Sequence, residues 1–161
     1  MLAVTFDPAV VEAAVNALSP AGREDLESAT ESLHESHSYA DICDYFSDTL
    51  ANGSLLGREG IECFRVTGID VKAEADIRIE PVVPNSEMVM EGVAVIAHLK
   101  LIDGPNAYTA HKTIRHLCDK VRDLRGDDRD PAATLLAIGR NVVDRINAEL
   151  AAADKFDTAR T

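Results

Sequence analysis

The sequence predicts an α+β fold: three N-terminal helices, a three-stranded antiparallel meander with a long hairpin, and two C-terminal helices packed on the sheet. Three observations predict it. Capped, proline-started helical stripes fill the first third of the chain. The hydrophobic period then changes to two through the middle third, and helical spacing of apolar residues returns from Ala110 onward. With 161 residues, 46% of them hydrophobic, the chain is read as a single domain, 1-161, whose core buries roughly 70% of the unfolded surface.

"LAVTF" is expected to be a short edge strand ended by Asp7-Pro8, where the aspartate caps a helix and the proline takes its first position. That helix carries Val11, Ala14, Val15 and Leu18 on one face. Ser19-Pro20 repeats the start signal for a second helix running to about Ser36, with Leu26, Ala29 and Leu33 as its apolar stripe. A third helix is expected to begin at Ser38, three residues before Asp41 as in a capping box. It buries Tyr39, Ile42, Cys43, Phe46 and Leu50 and ends at Asn52-Gly53.

From Ile69 to Glu80 apolar and charged residues alternate without a miss, which defines a strand. Residues 89–102 supply its hairpin partner, with Val93, Val95, Ala97, Leu99 and Leu101 on one face and Ala94, Ile96, His98 and Lys100 on the other. "ECFRV" is expected to be the third strand of the meander, with Gly68 as a bend. Ala110, Ile114, Leu117, Val121 and Leu124 then form a stripe at helical spacing that stops at Gly126. Asp130-Pro131 starts a last helix with core positions Leu135, Ile138, Val142, Ile146 and Leu150. Gly139 lies on that face as a place of close backbone approach, and the tail is expected to fray.

Charge narrows the function. A net charge of −12 leaves no general phosphate-neutralising surface, which argues against nucleic acid and anionic membranes as partners. No apolar run approaches the roughly 20 residues that span a bilayer, and no signal peptide precedes the first helix, so the expected location is the cytoplasm or a virion. Cys43, Cys63 and Cys118 are odd in number and far apart, which fits neither a disulfide framework nor a zinc knuckle. Cys43 and Cys118 adjoin helical core stripes and are read as inert, while Cys63 is the least determined.

The densest cluster of polar chemistry is "ESLHESHSYADICDY", Glu31 to Tyr45. A metal site there needs Glu31, His34, His37 and Asp41 to converge. On a helical wheel Glu27, Glu31 and His34 fall opposite the apolar stripe, so they are expected in water, with His37 near the helix C-terminus. The cluster is therefore read as a helical corner, with a metal-assisted enzyme at His34 and His37 as an alternative. Asp41, Asp44 and Asp48 form an acidic stripe read as a solvated face. His111-x-Thr113 is half of a two-histidine phosphoesterase pattern, and its second copy is missing because His98 is followed by Leu99 and Lys100. No nucleophile elbow, Walker loop or dinucleotide glycine fingerprint is present.

The remaining unusual feature is the charged face of the long strand: Asp70, Lys72, Glu74, Asp76, Arg78 and Glu80. These six are read as an interface, since cross-strand charge pairs set register and discourage indiscriminate pairing. The order helix, long hairpin, helix is similar to that of small ring-forming connector or tail subunits of viruses. The expected function is a non-enzymatic subunit of a homo-oligomeric assembly, without cofactor or metal, whose partners are copies of itself or another protein. The alternative from a different class is a small acidic binding or inhibitor protein that docks on a basic partner.

Overall fold

The description rests on a computed structural model and covers residues 2–36, 38–57, 62–68, 72–82, 92–103, 108–118 and 124–160, with the side chains of 72, 101–103, 108–118 and 153–160 left aside. Within it the chain mixes helix and sheet as an α+β protein.

The N-terminal start signals act as their residue types require. Strand β1 (Ala3–Phe6) leads into helix α1 (Pro8–Asn16), where Asp7 Oδ1 accepts from Ala9 N at 3.0 Å and Pro8 fills the first turn. Ser19 does the same for helix α2 (Pro20–Glu35), its Oγ accepting from Gly22 N at 3.1 Å. Helix α3 (Tyr39–Phe46) starts differently from the expectation. Ser38 makes no side-chain cap; instead Ser36 Oγ donates to the Asp41 carboxylate and accepts from Ser38 N. The capping job has moved two residues upstream. Beyond Phe46 the helix widens into a π-helical turn (Ser47–Ala51) closed by Asn52 N to Ser47 O, and Gly53 follows at φ 71°, a left-handed position suited to glycine.

Strand β2 (Phe64–Thr67) pairs antiparallel with β1, in register Val4 with Val66 and Phe6 with Phe64. It therefore belongs to a two-stranded sheet and not to the meander. Gly68, at φ 81°, turns the chain away. The edges of β2 and of strand β3 (Lys72–Val82) border a cleft of about 370 Å³, and no ladder joins them among the described residues.

The main sheet has the order β3-β4-β5, with β4 (Gly92–Asp103) central. β3 and β4 are antiparallel in the register Lys72 with Ile102 and Val82 with Gly92. Ile69, Asp70, Val71 and the hairpin loop fall outside the described residues. β5 (Tyr108–Cys118) is the principal correction: this segment, expected to begin a helix, is an edge strand paired with β4 over its whole length. Its helical spacing of apolar residues coexists with Tyr, Thr and Ile, which suit a pleated surface. Eleven residues of backbone pairing with an existing strand outweigh a weak local preference.

Of the first of the two C-terminal helices expected, 108–118 is β5 instead, 119–123 lies outside the described residues, and Leu124 and Arg125 are helical just before Gly126; helix α4 (Pro131–Arg160) closes the fold. Asp130 caps it through Oδ2 to Ala133 N at 3.2 Å. The helix continues to Arg160, through the tail expected to fray. One hydrophobic cluster joins all of this: Val11 and Val15 of α1, Leu26 and Leu33 of α2, Ile42 and Phe46 of α3, Ile77 and Ile79 of β3, Val93, Val95, Ala97 and Leu99 of β4, and Leu135, Ile138, Val142 and Ile146 of α4. The alternation along β3 and β4 thus assigns one sheet face to the core; on the other face Ala94 and Ile96 are also buried, while His98 and Lys100 are half-buried and Glu74, Asp76, Arg78 and Glu80 are exposed.

Candidate functional site

The outer face of the sheet carries the charges singled out in the sequence. Asp70 lies outside the described residues, and Lys72 is placed only by its backbone at the start of β3. Glu74, Asp76, Arg78 and Glu80 are exposed on that strand, while Ile77 and Ile79 between them are buried. Arg78 is the hub. Its guanidinium is 3.4 Å from Glu80 Oε1 and 4.0 Å from Asp76 Oδ2, its neighbours two positions away on the same face. It also lies 2.9 Å from His98 Nε2 across the ladder. A guanidinium only donates, so Nε2 of His98 accepts and the ring proton sits on Nδ1. Each ion pair is half-exposed and contributes at most about 1 kcal/mol, so the group orders the surface more than it stabilises the monomer.

Register extends this face over the other two strands. Asp76 stands opposite His98, which stands opposite Thr113; Glu74 stands opposite Lys100, which stands opposite His111. His111 and His116 are therefore strand residues on opposite faces of β5 and not helix residues.

The corner between α2 and α3 is a second polar centre. His34, expected in water, is buried with 8% exposure, and its Nε2 lies 3.0 Å from Thr134 Oγ1. Thr134 donates its own hydroxyl proton to Asp128 O at 2.9 Å, so His34 Nε2 is the donor to Thr134. Burial holds the His34 pKa below 6.5, helped by the Arg125 and Arg129 guanidiniums and opposed by Glu31 and Asp128. Arg125 Nη1 donates to Leu33 O and Ser36 O, both at 2.8 Å, and places its charge at the negative end of α2. Arg129 reaches Glu31 at 2.7 Å.

These contacts explain the correction. The buried stripe of α2 is Leu26, Thr30, Leu33 and His34, spaced i, i+4, i+7, i+8; two of its members are polar, and a search for apolar periodicity skips them. Thr30 Oγ1 and Tyr45 OH, 2.8 Å apart, satisfy each other inside it, and burial lifts the Tyr45 phenol to about 12. His37 lies outside the described residues, so the pairing of His34 with it does too. Among the described residues no three His, Cys, Asp or Glu side chains converge as a metal site requires.

A groove of about 260 Å³ runs between α2, α3 and the π-helical turn. Ala29, Leu33, Tyr45 and Leu55 give it an apolar lining, and Asp41, Asp44 and Asp48 line it as well. By their spacing the aspartates are expected on a solvated face; the groove beside them is a tertiary feature without a sequence signal.

The thiols of Cys43 and Cys63 are buried, and burial raises both to about 12, with Asp44 and Glu80 adding to the effect at Cys43. A thiol held so far above neutrality stays protonated and unreactive. The Cys118 side chain is not among those described. No helix among the described residues is long and apolar enough to cross a membrane. No family model, no curated protein and no solved structure matches the chain.

Proposed function

We propose that this protein is a non-enzymatic subunit of a homo-oligomeric assembly, of the kind that ring-forming connector or tail subunits of viruses represent, and that it contacts its neighbour through the outer face of β3. The observation that supports this reading is the exposed row Glu74, Asp76, Arg78 and Glu80. It stands on an 11-residue strand whose other face is anchored in the core by Ile77 and Ile79. Charges on a rigid strand lose little conformational freedom when they dock, and mixed signs let two copies pair in only a few registers. Light scattering on the purified chain is the test. A native mass several times 17.4 kDa supports the reading, and 17.4 kDa at every concentration overturns it.

The groove between α2 and α3 favours a second reading, a small acidic protein that docks on a basic partner. Among the described residues no ion pair engages Asp44 or Asp48, and the apolar lining beside them suits the aliphatic stem of a lysine or arginine. Binding of a lysine-rich peptide that is lost in Asp44→Asn/Asp48→Asn supports this second reading, and equal binding by both proteins removes it.

A further inference from the structure

The two-stranded sheet treats its two outer edges differently. On β1 the Asn147 side-chain amide engages both Val4 N and Val4 O, each at 2.8 Å. Those bonds also set the phase of β2. Opposite residues of an antiparallel pair either exchange both backbone bonds or both point their N–H and C=O outwards. Val4 stands opposite Val66, so the N–H and C=O of Val66 point away from β1, and the same follows for Phe64 two positions earlier. The bond from Asp7 N to Cys63 O, 2.8 Å long, agrees with this phase. Among the described residues no hydrogen bond engages the outward groups of Phe64 and Val66.

That open edge borders the cleft of about 370 Å³ beside β3, with Phe64, Arg65 and Val66 on one wall and Ala73, Glu74 and Ala75 on the other. β3 is the outer strand of the main sheet, so its cleft side also has no partner strand among the described residues. The floor is apolar. Phe64 packs on Phe6 and Phe46 at ring-centroid distances of 5.4 and 6.3 Å, and Val66 and Ala75 pack against the core. On the β3 side this floor carries only the methyl groups of Ala73 and Ala75, where Ile77 and Ile79 farther along fill the same face. The mouth is polar, with Arg65 and Glu74 exposed.

We propose that this cleft binds an extended segment of a partner protein, which adds as an antiparallel strand to the outer edge of β2. The outward N–H and C=O groups of Phe64 and Val66 repeat every two residues, about 7 Å, and an extended backbone offers donors and acceptors at that spacing. Residues directly opposite in a ladder share a face, so the segment residues bonded to Phe64 and Val66 point their side chains at the apolar floor. Ala73 and Ala75 leave room there for valine-sized groups, and the alternate residues pass between Arg65 and Glu74 into water. The recognised class is therefore a short stretch of alternating apolar and polar residues. With four residues in β2 the ladder is short, which suits a peptide and gives little template for open-ended stacking. This inference stands apart from the assembly reading, which uses the outer face of β3 and not the edge of β2.

The test titrates the intact chain with the blocked peptide acetyl-Lys-Thr-Val-Thr-Val-Thr-Lys-amide and follows the backbone amide NMR signals. Saturable shifts and slowed hydrogen exchange are expected at Phe64 and Val66, while Arg65 and Thr67, whose amides face β1, keep the protection they have in the free chain. The same peptide N-methylated at both valines keeps its charge, loses the donors, and should bind at least about tenfold more weakly. Val66→Pro removes an outward N–H without touching the β1 ladder and should abolish binding with the circular dichroism unchanged. Should that variant unfold, the N-methylated peptide gives the same decision on the unaltered chain. Binding that never saturates, equal affinity for the N-methylated peptide, or Phe64 and Val66 amides already protected in the free chain overturn the proposal. A native mass of the free chain that falls in folded Val66→Pro also overturns it, because the strand in the cleft is then a second copy's.

Discussion

The side-chain amide of Asn147 pairs with the backbone of Val4 as a strand would: its Oδ1 accepts from Val4 N and its Nδ2 donates to Val4 O, each at 2.8 Å. A helix side chain thereby closes the edge of β1 that faces away from β2. Val4 is 1% exposed, so water cannot take over those bonds. Asn147→Ala should cost about 2–4 kcal/mol, two buried backbone groups left unsatisfied at about 1–2 kcal/mol each. Urea denaturation monitored by circular dichroism measures it, and a midpoint within error of the wild type would show that the edge is closed by other means.

Gly139 lies on the core face of α4, and a Cβ there would collide with the Phe6 ring. The close approach expected of this glycine is real, but it admits a ring rather than a backbone. Gly139→Ala should destabilise the protein by about 1–3 kcal/mol despite the better helix propensity of alanine. Phe6→Leu should recover part of that loss in the double variant. A strictly additive double-mutant cycle would show that the two positions are not in contact.

His34 makes stability depend on pH. Its native pKa lies below 6.5 because burial and two nearby guanidiniums disfavour the cation, so the unfolded chain takes up a proton that the native chain refuses. The stabilisation is complete above the ordinary histidine value and is lost as pH falls through the native one. His34→Gln retains a donor for Thr134 without titrating. Its denaturation midpoint should fall less steeply than the wild type's on acidification from pH 7, and parallel profiles would show that His34 is not the group responsible.

The start of α3 gives a paired comparison. Ser36→Ala removes the hydroxyl that links Ser38 N to the Asp41 carboxylate and should cost about 1 kcal/mol. Ser38→Ala, at a position without a side-chain cap, should cost less than half of that. The reverse order in thermal denaturation would restore the capping box that the sequence predicts.

Much of this molecule is legible in its residues where the signal is local. Asp7-Pro8, Ser19-Pro20 and Asp130-Pro131 start helices, and period-two alternation separates Ile77 and Ile79 from Glu74, Asp76, Arg78 and Glu80. What escaped depends on distant partners. β5 takes its conformation from pairing with β4, not from its own spacing, and β2 joins β1 across about sixty residues of chain. His34 is buried by Thr134, a hundred positions away, through a hydrogen bond that no hydrophobic pattern encodes.

The central claim is that the charged face of β3 joins copies of this chain. The most direct measurement is native mass by light scattering against ionic strength, for the wild type and for Glu74→Lys/Arg78→Glu. Ion pairs at the surface are screened over about 10 Å at 0.1 M salt, so the wild-type mass should exceed 17.4 kDa at low salt and fall as salt rises. The double variant should run lighter than the wild type at low salt and converge with it at high salt. A single species of 17.4 kDa for both proteins at every salt concentration would contradict the account.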